Sequence, residues 1–355
     1  MMDVILGSLG SGLDALVDYV TEHTLTCLIP ALFIAGAIAA FVKKDAILKY
    51  FGPDVKKYIS YPLASVSGVV LAVCSCTILP LFAGLYKKGS GIGPAVSFLY
   101  AGPAINVLAI VYTASVLGYD LGAARAVIAV FMSVVIGLSM SFLFRGETEK
   151  RSMEAPVLRL PVVQRNRPGW VIPAFFTSLL LILVIGASRL DWMIKFPVVY
   201  LLTIVIGLLL IYHFSRDEVT DWGMETWDLT KKIGPILVIG AFVVGVIAYF
   251  LPPETFQPYL GNEGIAANVL ASMIGALLYM PTLLEVPIIG TTFGYEEGLM
   301  GSGPALALLL AGPAVSLPNM VVLWRIIGAR KTVAYIMLVV VISSAAGLVY
   351  GNLIV

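Results

Sequence analysis

The chain has 355 residues, 59% of them hydrophobic and only 12% charged, with a formal net charge of +1 and a mean hydropathy of +0.98. That charge content is about half the ~25% usual in soluble domains, and apolar runs of spanning length recur. Composition therefore points to an all-α polytopic membrane protein and away from a nucleic-acid binder. Three cysteines, Cys27, Cys74 and Cys76, make no disulfide framework, and Cys74 and Cys76 stand too close in sequence to bridge easily.

Residues 1–23 carry Asp3, Asp14, Asp18 and Glu22 but no Lys or Arg, the reverse of a signal peptide's basic leader. Ile5, Leu6, Leu9, Leu13, Leu16, Val17 and Val20 recur at helical steps, which predicts an amphipathic helix lying on the membrane surface. Spans are predicted at 24–42, 93–117, 123–144, 170–188, 196–214, 233–251, 303–324 and 332–350. Two further apolar runs, 62–86 and 265–293, carry Pro80 and the pair Pro281 and Pro287 in their interiors. Proline removes a backbone donor and clashes with the preceding turn, so all three are predicted helix breaks. The most polar stretch, 145–169, holds Arg145, Lys150, Arg151, Arg159, Arg165 and Arg167 and reads as a cytoplasmic linker.

The chain then repeats itself. Gly93-Pro94-Ala95 and Gly102-Pro103-Ala104 return as Gly303-Pro304-Ala305 and Gly312-Pro313-Ala314, and Leu63-Ala64-Ser65 with Gly68 returns as Leu270-Ala271-Ser272 with Gly275. Pro80 falls on Pro287, and Tyr50 and Gly52 fall on Tyr259 and Gly261. So many coincidences near one offset indicate an internal duplication: a first unit at 24–144, two connecting spans and a loop at 170–232, and a second unit at 233–355. Gly102, Pro103, Gly312 and Pro313 are predicted to break the spans that hold them.

Charge orients the units. Tyr86-Lys87-Lys88-Gly89 lines up with Tyr295-Glu296-Glu297-Gly298, and Lys43, Lys44, Lys49, Lys56 and Lys57 have no basic counterparts. Lys and Arg mark the cytoplasmic side, so the units are expected upside down relative to each other, as in inverted-repeat transporters. Both flanks of 62–86 are basic and both flanks of 265–293 lack bases, which predicts two re-entrant helical hairpins beside eight full spans. Read instead as kinked spans, these runs would leave the units parallel, against the exchange of Lys for Glu.

Two positions carry chemistry first. Cys74 and Cys76 are soft ligands for a thiophilic metal or metalloid arriving as substrate, and at an unwound turn both sulfurs can converge. A buried free cysteine can equally be a small apolar filler. Glu285 lies between Pro281 and Pro287 in apolar surroundings. A charged carboxylate there costs ~2.5–3.5 kcal/mol, so it is expected to be protonated, paired or functional, and it is the candidate proton carrier. A snorkelling or hydrogen-bonded structural Glu is the alternative. Asn106, Ser316 and Asn319 follow the Gly-Pro-Ala triplets and can line a substrate path or bond across helices. No Walker A, HExxH or GxSxG motif occurs, so neither enzymatic chemistry nor a cofactor is expected.

The run Cys74-Ser75-Cys76-Thr77-Ile78-Leu79-Pro80, followed by the Gly-Pro-Ala pairs and Ala101-Gly102-Pro103-Ala104-Ile105-Asn106, resembles the predicted-permease family that includes the ArsP-type organoarsenical efflux permeases. The resemblance runs from about Leu25 onward. It implies a permease of the inner (plasma) membrane with about eight spans, exporting trivalent organoarsenicals such as methylarsenite, with Cys74 and Cys76 at the positions where cysteines bind substrate. Its expected partners are a small-molecule solute and the lipid bilayer, and a homo-oligomer stays open. A permease for another sulfur-containing or anionic solute is the first alternative, and a membrane thiol-redox protein is the second.

Overall fold

A computed structural model of the chain describes residues 2–18, 20, 28–41, 50–52, 55–71, 75–146, 168–187, 191–250, 256–278 and 285–353. Among these residues every regular element is helical. After α1 (Met2–Asp18) come α2 (Ile29–Phe41), α3 (Lys57–Leu71), α4 (Ser75–Lys87), α5 (Ile92–Ala104), α6 (Val107–Val116) and α7 (Tyr119–Leu143). Two connecting helices follow, α8 (Val171–Ala187) and α9 (Trp192–His213). The remainder comprises α10 (Arg216–Phe250), α11 (Gln257–Leu260), α12 (Ile265–Leu277), α13 (Glu285–Pro287), α14 (Ser302–Ala311), α15 (Leu317–Ile327) and α16 (Ala329–Leu353). The residues Ile288–Thr292 continue α13 as a π-helical turn.

Among the described residues, α7, α16 and Lys195–His213 of α9 are each long and apolar enough to cross a membrane, and α5 with α6, bent by 42°, makes a fourth when the two are counted as one span. The stretch 93–117, expected as one span, is thus bent between α5 and α6, and the stretch 303–324 divides into α14 and α15. The breaks follow from the residues. Pro103 offers no N–H to the Leu99 carbonyl and α5 ends one residue later. Asn106 restarts the chain as α6, its Oδ1 accepting from the N–H groups of Leu108 and Ala109 at 3.0 and 3.4 Å. Gly312-Pro313 ends α14 in the same way, and Pro318 opens α15.

One predicted break is corrected. Pro80 does not interrupt its helix, because α4 runs through it from Ser75 to Lys87. The bond it removes is the one to the Cys76 carbonyl in the opening turn, so the later ladder is untouched. The predicted break at Gly102 and Pro103 is present: the two sit in the last turn of α5, which ends just beyond them before Ile105 and Asn106. Pro281 lies outside the described residues, and Pro287 marks the passage from α13 into the π turn.

Every residue of α5 is buried, and so is α14 from Gly303 to Ala311. These two helices form the centre. Helices α3, α4 and α7 pack on α5, while α12 and α16 pack on α14. In lipid such contacts rest on close packing and small residues. Gly93 faces Gly137, and at the same offset along the chain Gly303 faces Gly347; a Cβ on any of the four would stand under 3.0 Å from the opposite carbonyl oxygen. The Gly91 N–H bonds to Phe51 O at 2.8 Å and the Gly301 N–H to Leu260 O at 2.9 Å, again at matching places. Overpacking a tight helix contact costs ~1–3 kcal/mol. Gly137→Val and Gly347→Val should therefore each lower the melting temperature in detergent, whereas Gly223→Ala, with open space around it, should leave it near wild type.

Helices α7 and α16 run antiparallel. Lys331 at the start of α16 lies over the ring of Phe144 just beyond α7, while Tyr350 near the end of α16 is within electrostatic reach of Asp120 at the start of α7. The Phe144 end is also where α5 begins, near Ser141 of α7, and the Lys87–Lys88 turn lies just before α5. Lys87 pairs there with Glu225 and Asp228 on the charged half of α10. These side chains are a third to a half exposed, so the pairs contribute ~0–1 kcal/mol and mark a location more than they hold it. Desolvation by burial holds Lys88 beside them below the ordinary ammonium range. The opposite end collects Asp120, Glu263 and Tyr295.

The first helix, α1, packs along α10. Gly7 of α1 lies against Tyr249 and Gly12 against Phe242 and Val246; the Ser11 hydroxyl donates to the Gly245 carbonyl at 2.9 Å. Its small residues thus run antiparallel along the apolar half of α10.

Candidate functional site

The chemistry gathers where α6 and α7 meet α13. Arg125, in the second turn of α7, donates through Nη2 to Glu285 Oε1 on α13, and neither side chain has any exposed surface. Its Nη1 donates to Thr113 Oγ1 of α6 at 2.9 Å, and that hydroxyl donates onward to the Ala109 carbonyl at 2.7 Å. Arg125 Nε and Glu285 Oε2 are buried with no hydrogen-bond partner among the described residues. Oε2 faces the break after α14: a Cβ on Gly312 would stand 3.3 Å from it.

The surroundings explain how this pair is held. The hydroxyl of Tyr100, on α5, donates to the Leu310 carbonyl at 3.2 Å, and that of Tyr335, on α16, donates to the Ala314 carbonyl at 3.2 Å. Both engage carbonyls beside the Gly312-Pro313 break, where a helix end leaves acceptors unsatisfied. Tyr100 is within electrostatic reach of Arg125, Glu285 and Tyr335. An unpaired ion in this setting costs several kcal/mol, so the carboxylate and the guanidinium stabilise each other as a net-neutral unit.

The expected site residues fall as follows. Glu285 is paired, one of the outcomes its setting allowed. Asn106 and Ser316 occupy equivalent N-cap positions on α6 and α15; Asn106 caps its helix through its side chain, whereas Ser316 does not. Ser316 Oγ and Asn319 Oδ1 are buried without a hydrogen-bond partner among the described residues. Cys74 lies outside the described residues, and Cys76 is described only as a backbone position in the first turn of α4. Helix packing relates these pieces crosswise: α6 packs on α13, which carries Glu285, and α15, which carries Asn319, packs on α4, which carries Cys76. The early helices α4 and α6 are thus joined to the late helices α15 and α13, respectively.

Arg125 was not among the residues expected from sequence. The signal was present, since Arg125 is the one charged residue in the predicted span 123–144. Its place near the span's edge suits a snorkelling cation equally well.

A buried ion pair, set in an apolar chain whose described residues form only helices, defines an integral membrane protein with a polar joint at its centre. A family profile described as "Predicted permease" matches residues 11–352, and the chain belongs to that family. It is 42% identical to UPF0718 protein MJ0584 of Methanocaldococcus jannaschii over 99% of this chain and 98% of that relative. It is 23% identical to UPF0718 protein YraQ of Escherichia coli over 89% of this chain and 75% of the relative. The value for UPF0718 protein YcgR of Bacillus subtilis is 20%, over 89% of each. No solved structure matches the chain.

Proposed function

We propose that the protein is a multi-pass secondary transporter of the plasma membrane, built as an inverted repeat, with its solute site between the two broken spans and the two hairpins. The Arg125–Glu285 pair carries this reading: it is fully buried and joins α7 of one unit to α13 of the other. Intramembrane ionisable groups facing a bundle interior mark solute or proton pathways. The antiparallel packing of α7 and α16 and the separation of Lys87 from the Glu263 end support the inversion. Glu285 is the proton carrier in this scheme, and Cys74 and Cys76 are the soft ligands.

Membership in the predicted-permease family, taken with the cysteine pair, favours efflux of a soft, thiol-reactive solute such as a trivalent organoarsenical. Uptake of radiolabelled methylarsenite into inverted vesicles tests this. Wild type should accumulate it when the proton gradient is imposed, and Cys76→Ser should lose at least about tenfold, as expected when a thiolate ligand is replaced by a harder oxygen. Equal uptake by the two, or none by either, contradicts the soft-solute reading. A second reading, a permease for a small anionic solute, is favoured by one observation: the guanidinium of Arg125 is buried at the joint, its Nε without a hydrogen-bond partner among the described residues.

A further inference from the structure

The duplicated architecture holds its charge pair only once. The glycine contacts repeat at one fixed offset, and by that offset Arg125 answers Tyr335, while by the Pro80–Pro287 match Glu285 answers Ile78. Tyr335 and Ile78 are as buried as the charged pair and uncharged. The fold therefore accommodates neutral groups at these places, and a buried ion pair adds little stability over apolar packing. Its presence in one unit alone calls for a role beyond folding.

Charge balance restricts that role. In a medium of low polarity the joint tolerates only combinations close to neutral. Arg125 with ionised Glu285 satisfies this. Arg125 with protonated Glu285 does not, because the guanidinium then has no counter-charge among the described residues: the other groups of these residues facing the pair are the neutral hydroxyls of Tyr100, Thr113 and, behind Tyr100, Tyr335. A proton can thus settle on Glu285 only if another anion takes its place beside Arg125. The Nε, unpartnered among the described residues, and the Nη2 that now binds Glu285 form the two-pronged edge that carboxylates and other oxyanions fit.

We propose that Arg125 is a solute-binding residue for the anionic group of a small carboxylate or similar oxyanion, and that this anion binds together with one proton on Glu285. The anion displaces Glu285 from Nη2, the displaced carboxylate takes a proton from solvent, and the joint stays neutral. Anion and proton then cross in the same direction in an electroneutral step. This rests on the transporter reading with Glu285 as proton carrier, and within it selects the anionic solute.

The test uses the full-length protein in lipid nanodiscs, with benzoate and mercaptoacetate as probes between about pH 6 and 8, where both stay ionised. Calorimetry reports binding, and an indicator dye in weak buffer reports protons. Wild type should bind at least one probe with uptake of one proton per anion, its affinity rising about tenfold for each unit the pH falls. Glu285→Gln, which frees Arg125 of its internal counter-ion, should bind more tightly, without proton uptake and without pH dependence. Arg125→Gln should bind at least about tenfold more weakly.

A purely structural pair predicts no gain in Glu285→Gln, so that variant is informative even if Arg125→Gln folds poorly. Failure of both probes to bind wild type overturns the proposal. Binding without proton uptake, or wild-type affinity in a folded Arg125→Gln, does so as well. Methylarsenite uptake in vesicles, measured in parallel, separates the two claims: Cys76-dependent uptake without anion binding sinks only this inference. Proton-linked anion binding without that uptake sinks only the soft-solute reading.

Discussion

Arg125→Met alone should destabilise the protein by about 3–5 kcal/mol, and adding Glu285→Leu to it should restore most of that loss. The single change leaves a carboxylate with no exposed surface and no cation beside it. The group must then bind a proton, draw water into the centre of the molecule or force the helices apart. The double change removes both charges, and Leu and Met fill much of the vacated volume with apolar atoms. Neutral groups already occupy the equivalent places, Tyr335 and Ile78. Glu285→Leu alone should fall between these, because the stranded guanidinium keeps its bond to Thr113.

Denaturant titration in mixed micelles, read by tryptophan fluorescence, gives the four stabilities of the cycle, and transport assays on the same variants give the function. The expected pattern is a double variant that is stable and inactive. Were its destabilisation the sum of the two singles, the charges would not be compensating each other. A double variant with full pH-dependent transport would remove the pair from the mechanism.

Much of this arrangement was legible in the sequence, for reasons that differ by element. Gly102-Pro103 and Gly312-Pro313 could be read because a missing N–H is a local property, and the ends of α5 and α14 follow from it. Glu285 stood out because a carboxylate in an apolar run needs an explanation wherever it lies. Arg125 did not, since near the edge of a span a long cation has a harmless alternative in solvent; only tertiary packing, which buries it against a residue far along the chain, removes that alternative. Pro80 misled in the opposite direction. Local chemistry predicts a break, but the loss of one bond to Cys76 near the start of α4 is outweighed by the packing of the helix on α2 and α5. The packing of α1 along α10 was also hidden, because Gly7, Ser11 and Gly12 show no apolar periodicity yet allow close approach.

The proposed function rests on an inverted arrangement, in which the two broken spans would face the opposite hairpins. Cysteines introduced as Lys87→Cys and Glu296→Cys, each in a chain whose native cysteines are replaced by alanine, test it directly with a maleimide that cannot cross membranes. Both positions are exposed, so access depends only on sidedness. The expected result is labelling of Glu296→Cys in intact cells and of Lys87→Cys only after the membrane is opened. Labelling of both from one side would contradict the inversion and, with it, the placement of the solute site.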